Sequence, residues 1–226
     1  MAEFIRNPER FEKEKQQIFS SLRRGYFLTK PLAEENVVLS FEVEASQSLE
    51  LTLVDLADAD LSFEIGVDLK AGASAKIFVA SLDLSSHSKK YRVNVNHLEP
   101  DTFSRTSMAG INAGSGSLEL LGNSLIRNGA HRSDTRQEGK ITNLSPLAKS
   151  NVSPALLIQE NDVKASHGAA LGAYNPDELY YLMSRGLSLD ESKKLITFGS
   201  LLPIIETLQD ETALEEAKQA LEALPL

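Results

Sequence analysis

The sequence predicts a mainly β protein that ends in a helical region. Between residues 36 and 170, apolar and polar residues alternate with period two, which is typical of half-buried strands. From residue 171 to 226 the apolar spacing changes to that of amphipathic helices. The alternating segments begin roughly every 10–16 residues, with turn residues and no helical pattern between them. That rhythm suits a sandwich, a barrel or a β-solenoid, and composition alone does not choose among them.

Composition restricts the chemistry and the partners. The 226 residues carry a net charge of −9 without any Lys/Arg-dense run, so we expect no nucleic-acid partner and no membrane partner. The absence of cysteine excludes a thiolate nucleophile, a redox pair, a cysteine-rich zinc site and an all-cysteine iron–sulfur site. No apolar run is long enough to span a bilayer and the first residues lack a leader-like apolar stretch, so we expect a cytoplasmic protein.

Residues 1–35 are predicted to form a short helical arm. Asn7 is a suitable N-cap and Pro8 a suitable first-turn residue, while Gly25 and Pro31 would end the helix. One apolar stripe would be formed by Phe11, Ile18, Phe19 and Leu22.

The alternation in residues 36–170 predicts which side chains point into the core. The apolar members of each segment should point to one side. They are Leu39, Phe41, Val43, Leu49, Leu51, Leu53, Leu61, Phe63, Ile65, Val67, Ile77, Val79, Tyr91, Val93, Val95, Leu118 and Leu120.

The last zone, residues 171–226, predicts three helices and a surface tail. Asn175 and Pro176 can start the first helix and Gly186 can close it. Ser188 opens a capping-box pattern for the second helix. Residues Leu201–Leu208 would form another helix, and Asp210–Leu224 a charged amphipathic helix on the surface.

No catalytic motif stands out. The four histidines lack metal-ligand spacing, and the glycine-rich segment Gly110–Gly116 leads into a strand, which excludes a phosphate loop. Asp55, Asp58 and Asp60 could hold a cation or could form a solvated turn. Because the sequence shows no recognisable nucleophile or carboxylate pair, an enzymatic function is the least supported hypothesis. We expect a non-catalytic protein.

Two segments resemble a known family. NDVKASHGAALG at residues 161–172, continued by DELYYLMSRGL at residues 177–187, is similar to the C-terminal signature of the SufB/SufD family of iron–sulfur cluster assembly scaffolds. HLEPDTFSR at residues 97–105 is similar to a turn of the same family, and NGAHRSDTRQ at 128–137 and SPALLI at 153–158 match in order and spacing. The resemblance extends over about residues 37–208.

The resemblance implies a fold and a function. The fold would be a right-handed parallel β-helix over residues 36–170, with a helical region over residues 171–226. The function would be that of a scaffold or accessory subunit of a SUF-type complex. Its partners would be a SufC-like ABC ATPase, docked by the C-terminal helices, and a SufB-like subunit or a second copy, joined through strands of the β-helix.

The matched motifs also imply site residues. His167 is the one family-matched ligand candidate for iron or a nearby cluster. The docking helices match at Tyr180, Tyr181, Arg185, Gly186 and Phe198, although Arg185 could equally be a helix cap and Phe198 a core residue. A structural role would fall to His97, Pro100, Ser104, Asp162, Ser166 and Gly168.

Two departures from the family pattern shape the expected function. Ala165 stands where SufD-type members carry a cysteine, and no cysteine lies near residues 136–139, where SufB-type members carry one. Thiolates hold iron–sulfur clusters best, so we expect no stably bound cofactor and at most transient iron or cluster. The alternative function is a stand-alone β-solenoid that binds proteins and has lost cluster assembly.

Overall fold

The structure is a computed structural model of the chain, and it describes residues 2–6, 17–19, 22–32, 35–208 and 210–223. Strands come first and helices last. The strands are β1 (Ala2–Arg6), β2 (Gln17–Phe19), β3 (Leu22–Leu28), β4 (Asn36–Val43), β5 (Ser48–Asp55), β6 (Leu61–Leu69), β7 (Ser74–Asp83), β8 (Ser88–His97), β9 (Phe103–Asn112), β10 (Ser117–Ile126), β11 (Ser133–Asn143), β12 (Lys149–Ile158) and β13 (Val163–Ala173). The helices are α1 (Pro176–Ser184), α2 (Leu189–Ile205) and α3 (Glu211–Glu222).

The strands wind into a parallel β-solenoid of about 5 turns. Odd-numbered strands form one sheet in the order β1-β3-β5-β7-β9-β11-β13, and even-numbered strands form the other, from β2 to β12. Each described strand therefore pairs with the strand two places along the chain and not with its sequence neighbour. The predicted β-helix is confirmed, and the sandwich and the barrel are excluded.

The solenoid interior is built from stacked rows of side chains. Parallel in-register pairing places one residue of each coil directly above its counterpart, as in the row Leu39, Ile65 and Val93. All of the inward residues predicted from the alternation are buried. Stacking removes the apolar side of each coil from water only when neighbouring coils are present, so the interior is a property of the whole stack.

A second hydrophobic core lies outside the solenoid. On the outer face of the odd-numbered sheet, Phe27, Val54 and Ala80 contact the apolar sides of α2 and α3, including Leu201, Ile205 and other residues. The two helices thereby cover one part of the sheet. α2 also covers the second half of β9 at Ala109 and Ile111, and the remaining outer face is open to solvent over the first half of β9 and over much of β11 and β13.

The predicted N-terminal helix is wrong where the structure describes it. Gln17–Phe19 and Leu22–Leu28 are strands, as is Ala2–Arg6, whereas residues 7–16 lie outside the described part of the chain. β3 pairs with β5 along its whole length, which buries Tyr26 and Leu28 inside the solenoid. Pairing with a neighbouring strand that offers apolar contacts decides the conformation of such a segment. A few apolar residues at helical spacing have less influence. The division of the chain into three separate units stays a prediction.

The C-terminal helices begin and end largely where the sequence predicts. Asn175 caps α1 with Pro176 at its first position, and Ser188 forms a complete capping box with Glu191. Residues 201–205 do not begin a separate helix, because α2 runs on through Pro203 and ends at Ile205. Pro203 has no N–H group, so the backbone hydrogen bond that residue 203 would donate is missing, and α2 ends two residues later. None of the described helices combines the length and apolar character needed to cross a membrane.

Candidate functional site at the open end of the solenoid

The last coil of the solenoid, formed by β12 and β13, is open on one side. In the described part of the chain, β12 pairs only with β10, and β13 pairs only with β11. Apolar side chains are left in solvent here, with Leu157 57% exposed and Leu171 50% exposed. An uncovered strand edge flanked by apolar residues is a template for another chain.

His167 lies in the middle of this open coil. In the register of β11 and β13 it stands opposite Gln137, whose side chain points into the solenoid. His167 therefore takes the same inward-facing position, and it is exposed because no further coil covers it. From β5 to β13, its row through the stack is Leu51, Ile77, Thr106, Gln137 and His167.

Carboxylates do not converge on His167. Asp162 lies five residues away along the chain, about 16 Å in an extended strand. The Glu160 carboxylate accepts hydrogen bonds from the backbone N–H of Gly129, in the turn of the preceding coil, and from that of the next residue, Asn161, which lowers its pKa. Among the described residues, no cluster of three or more His, Asp or Glu side chains is placed to hold a metal ion. The protein alone thus offers one imidazole at this position.

A buried polar network leads towards the open coil. His97 contacts the hydroxyl oxygens of Thr102 and Ser104 through its two ring nitrogens, at 2.7 Å and 2.9 Å. Ser104 contacts Thr135 at 2.7 Å. The Thr135 hydroxyl donates to Ser124 at 2.9 Å. Burial lowers the pKa of His97 to about 4, so the imidazole is neutral and serves the network.

Gln137 ends this network beneath His167. Its side-chain amide donates to Ser124 Oγ and, at 3.3 Å, to the Ala155 carbonyl. Its Oε1 atom is buried and has no hydrogen-bond partner among the residues that the structure describes. Sequence reasoning missed Gln137, Thr135 and Ser124. The available signal was that Ser133, Thr135 and Gln137 alternate at inward positions of β11, where earlier coils carry apolar residues.

The other motif residues lie in turns and on the outer face. The Pro100 carbonyl accepts a hydrogen bond from Gly72, and the Asp162 carbonyl accepts one from Arg132. Ser166 and Gly168 lie on β13, opposite Arg136 and Glu138 of β11. Ser104, as described, belongs to the buried network.

The residues predicted to dock a partner divide between an exposed surface at α1 and the second core. None of the residues of α1 is buried, and Tyr180 is 76% exposed. The Arg185 guanidinium lies 5.2 Å from the centre of the Tyr181 ring, which is a cation–π contact. Gly186 ends the helix with a φ of 95°, and half-buried Phe198 packs against the second core. We call Tyr180, Tyr181 and Arg185 the α1 surface.

A cleft separates the open coil from the α1 surface. It has a volume of about 320 Å³ and is lined by Thr142, Leu171, Tyr174 and Glu178, among others. Burial raises the pKa of Tyr174, whose hydroxyl lies 3.1 Å from Thr197 Oγ1 on α2. This contact fixes the start of α1 against α2.

The predicted acidic cluster does not form one site. Asp55 is buried, and its Oδ2 accepts a hydrogen bond from Lys89 Nζ at 3.0 Å and another from the Tyr91 hydroxyl. Asp58 accepts from the Ser85 hydroxyl, and Asp60 accepts from the Ser88 backbone N–H. The three carboxylates stabilise different contacts between coils.

The chain matches a family model and several curated proteins. The family is "SUF system FeS cluster assembly, SufBD core domain", matched by residues 37–200. The iron–sulfur cluster assembly protein SufD of Bacillus subtilis (strain 168) is 41% identical over 86 residues, which is 38% of this chain and 20% of that protein. SufD of Escherichia coli (strain K12) is 33% identical over 93 residues, 39% of this chain and 22% of that protein. A SufBD family protein of Mycobacterium bovis, Mb1496, is 32% identical over 119 residues, 53% of this chain and 14% of that protein. The match therefore covers less than a quarter of each of these relatives.

Proposed function

The chain belongs to the SufBD core family, and we propose that it is a non-catalytic scaffold or accessory subunit of a SUF-type iron–sulfur cluster assembly complex. The observation that carries the proposal is the combination, in one chain, of an open solenoid end that presents His167 and a separate exposed α1 surface. Both are surfaces suited to binding other proteins, and the described residues form no metal-holding cluster of their own. The relatives named SufD point to the same process.

The α1 surface is the proposed dock for a SufC-like ABC ATPase. Two exposed tyrosines and an arginine held over one ring form an amphipathic patch of the composition enriched at protein interfaces. α1 is joined to the solenoid at Asn175 and to α2 by the turn at Gly186, so force on α1 would be transmitted to the open coil. Nucleotide-driven closure of the ATPase could then reshape the coil through this connection.

Replacement of Arg185 with glutamate tests the dock. We expect Arg185→Glu to abolish co-purification with a SufC-like ATPase in the presence of ATP, because a new carboxylate would repel the patch's former partner and the contact with Tyr181 would be lost. Lys90→Glu is the matched control, since Lys90 is 41% exposed on the outer face of the even-numbered sheet, away from the helices. Equal binding by the two variants, or no binding by the unmodified chain, would contradict the dock.

The open coil is the proposed place for cluster chemistry, completed by a partner. One imidazole and no thiolate cannot hold a cluster stably, and a second copy of this chain would add only another imidazole, so a SufB-like subunit must supply the remaining ligands. Iron or a cluster is then cargo at the junction of two chains. Anaerobic reconstitution of the isolated chain with iron and sulfide should yield no stable cluster absorption.

His167 should matter only in the assembled complex. We expect His167→Ala to lower cluster yield on a complex with a SufB-like partner and to leave the folding of the isolated chain unchanged, since the His167 side chain is exposed. His131→Ala is a suitable control, because His131 lies in a turn outside the open coil. A stoichiometric cluster on the isolated chain would overturn the view that a partner is required.

The alternative function is a stand-alone solenoid that binds proteins without cluster assembly. The specific observation in its favour is Ala165, which stands next to His167 on the inward side of β13 where SufD-type members carry a thiol. A stable homodimer that binds neither the ATPase nor iron would support this alternative.

A further inference from the structure

The side-chain oxygen of Gln137 is buried without a hydrogen-bond donor. Among the described residues, no group donates to its Oε1 atom. The surroundings of this atom within its own coil are carbon atoms, since a Cβ atom on Gly122 would stand 3.0 Å from Oε1 and 3.3 Å from Met108 Cε. Buried carbonyl oxygens are nearly always paired, so this one requires a donor from outside its own coil.

The orientation of the Gln137 amide follows from its other partners. Its Nε2 atom donates to Ser124 Oγ and to the Ala155 carbonyl oxygen, which is 3.3 Å away. A carbonyl oxygen only accepts hydrogen bonds, so Nε2 must face Ala155 and Oε1 must face away from it. Ala155 belongs to β12, so the amide already contacts the open coil.

His167 has the complementary deficiency. In the register of β11 and β13 it stands directly opposite Gln137, one strand spacing of about 4.8 Å away. Its ring is exposed and makes no hydrogen bond with the part of the chain that the structure describes. The neighbours on the same side of β13 are Ala165 and Ala169, whose methyl groups leave space for the ring to lie over Gln137.

We propose that Gln137 is the positioning residue of His167, and that its Oε1 atom accepts a hydrogen bond from the Nε2–H group of the His167 ring. Nε2 and Oε1 are each four bonds away from their own Cα, so they reach a similar distance from the two neighbouring strands. An exposed side chain changes rotamer within nanoseconds, so the bond forms with no change in the backbone.

The hydrogen bond decides which ring nitrogen is free to bind iron. A neutral imidazole carries one N–H, so Nδ1 keeps its lone pair when Nε2–H donates to Gln137. That lone pair points away from Gln137, towards the side of the coil where the cargo would bind. Hydrogen bonds of this kind fix the tautomer and the orientation of metal-binding histidines. The inference rests on the proposed function for its iron, whereas the bond itself requires neither iron nor a partner.

The ring proton of His167 tests the bond by NMR on the full isolated chain. The ring N–H proton of an exposed histidine exchanges with water too fast to be observed, whereas a hydrogen-bonded one gives a signal. We expect an Nε2–H signal of His167 in the unmodified chain, assigned by its absence in His167→Gln. Gln137→Met, of similar size but without the acceptor, should lose this signal. The signal of buried His97 shows that each variant is folded.

Ser124→Ala is the matched control. It removes one partner of Gln137 Nε2 and weakens the same network, but it leaves Oε1 in place. The His167 signal should therefore persist in Ser124→Ala. The proposal would be overturned by the absence of this signal from the unmodified chain, by its persistence in Gln137→Met, or by a ring that carries its proton on Nδ1.

Measurements on a complex with a SufB-like partner separate this inference from the proposed function. We expect Gln137→Met to raise the rate of cluster loss about tenfold, the usual size of effect when such a contact to a metal-binding histidine is removed. If the His167 signal depends on Gln137 but His167→Ala leaves the cluster yield unchanged, the function is wrong and the hydrogen bond stands. If His167→Ala lowers the yield but the signal is absent, the hydrogen bond is wrong and the function stands.

Discussion

His97 stabilises the solenoid only as a neutral side chain. Both of its ring nitrogens are occupied by hydroxyl groups in a buried network, and no carboxylate of the described residues contacts the ring. Burial lowers its pKa from 6.5 to about 4. Between pH 6.5 and pH 4, the unfolded chain therefore binds a proton that the folded chain does not bind. The contribution to stability is complete above pH 6.5 and is lost as the pH falls towards 4.

This pKa shift predicts acid sensitivity. We expect the free energy of unfolding of the unmodified chain to fall by about 3 kcal/mol between pH 6.5 and pH 4 through His97 alone. The measurement is urea unfolding of the unmodified chain and of His97→Gln at several pH values. The variant lacks the titrating group, and the contribution of the carboxylates cancels in the difference between the two proteins. Parallel pH curves for the two proteins would show that His97 is not buried as described.

At the scale of single elements, the corners of the solenoid require close backbone approach. Gly114 lies in the turn before β10, and a Cβ atom there would stand 1.6 Å from the Ser85 carbonyl oxygen of the preceding coil. No side chain fits such a gap without moving one of the two turns. By contrast, a Cβ atom on Gly168 of β13 would meet nothing within 4 Å.

The two glycines form a matched pair for measuring coil stacking. Gly114→Ala should destabilise the chain by about 1–3 kcal/mol, the usual cost of forcing extra volume into a packed site. Gly168→Ala should change the free energy of unfolding by less than about 0.5 kcal/mol. Thermal and urea unfolding of both variants checks this, and an equal loss in both would mean that the turns do not stack as closely as the structure shows.

At the scale of the whole molecule, the interior changes along the solenoid axis. From β5 onwards, one inward row runs from Leu51 and Ile77 through Thr106 and Gln137 to His167. Apolar packing thus gives way to a hydrogen-bonded interior near the open coil. An open end with apolar side chains in solvent is unfavourable for an isolated chain, and its burial against a second solenoid would remove that cost.

The open end predicts association through the terminal strands. Leu157→Lys should shift the isolated chain from dimer to monomer in light scattering, because it places a charge beside the edge of β12. Val38→Lys is the control, as Val38 is 38% exposed on β4, far from the open coil in the same sheet. A monomer before any substitution, or a dimer that survives Leu157→Lys, would contradict this interface.

Much of the fold and part of the site could be predicted from residue patterns. Alternation is a local property, so the inward residues from Leu39 to Leu120 could be read directly, and so could the caps at Asn175 and Ser188. The N-terminal segment could not, because the strands Gln17–Phe19 and Leu22–Leu28 exist through pairing with distant strands. Gln137 was missed for the same reason, since its position under His167 depends on the register of β11 and β13.

The amino-acid sequence by itself determined the strand-rich class, the cap residues, the family resemblance and the lack of any thiol ligand. Only the tertiary structure decided that the coils stack in parallel register, that His167 is left uncovered at the end of the stack, and that Gln137 lies buried beneath it. The physical reason is that alternation and capping act between residues close along the chain. Register acts between residues about 30 apart, which no local pattern specifies.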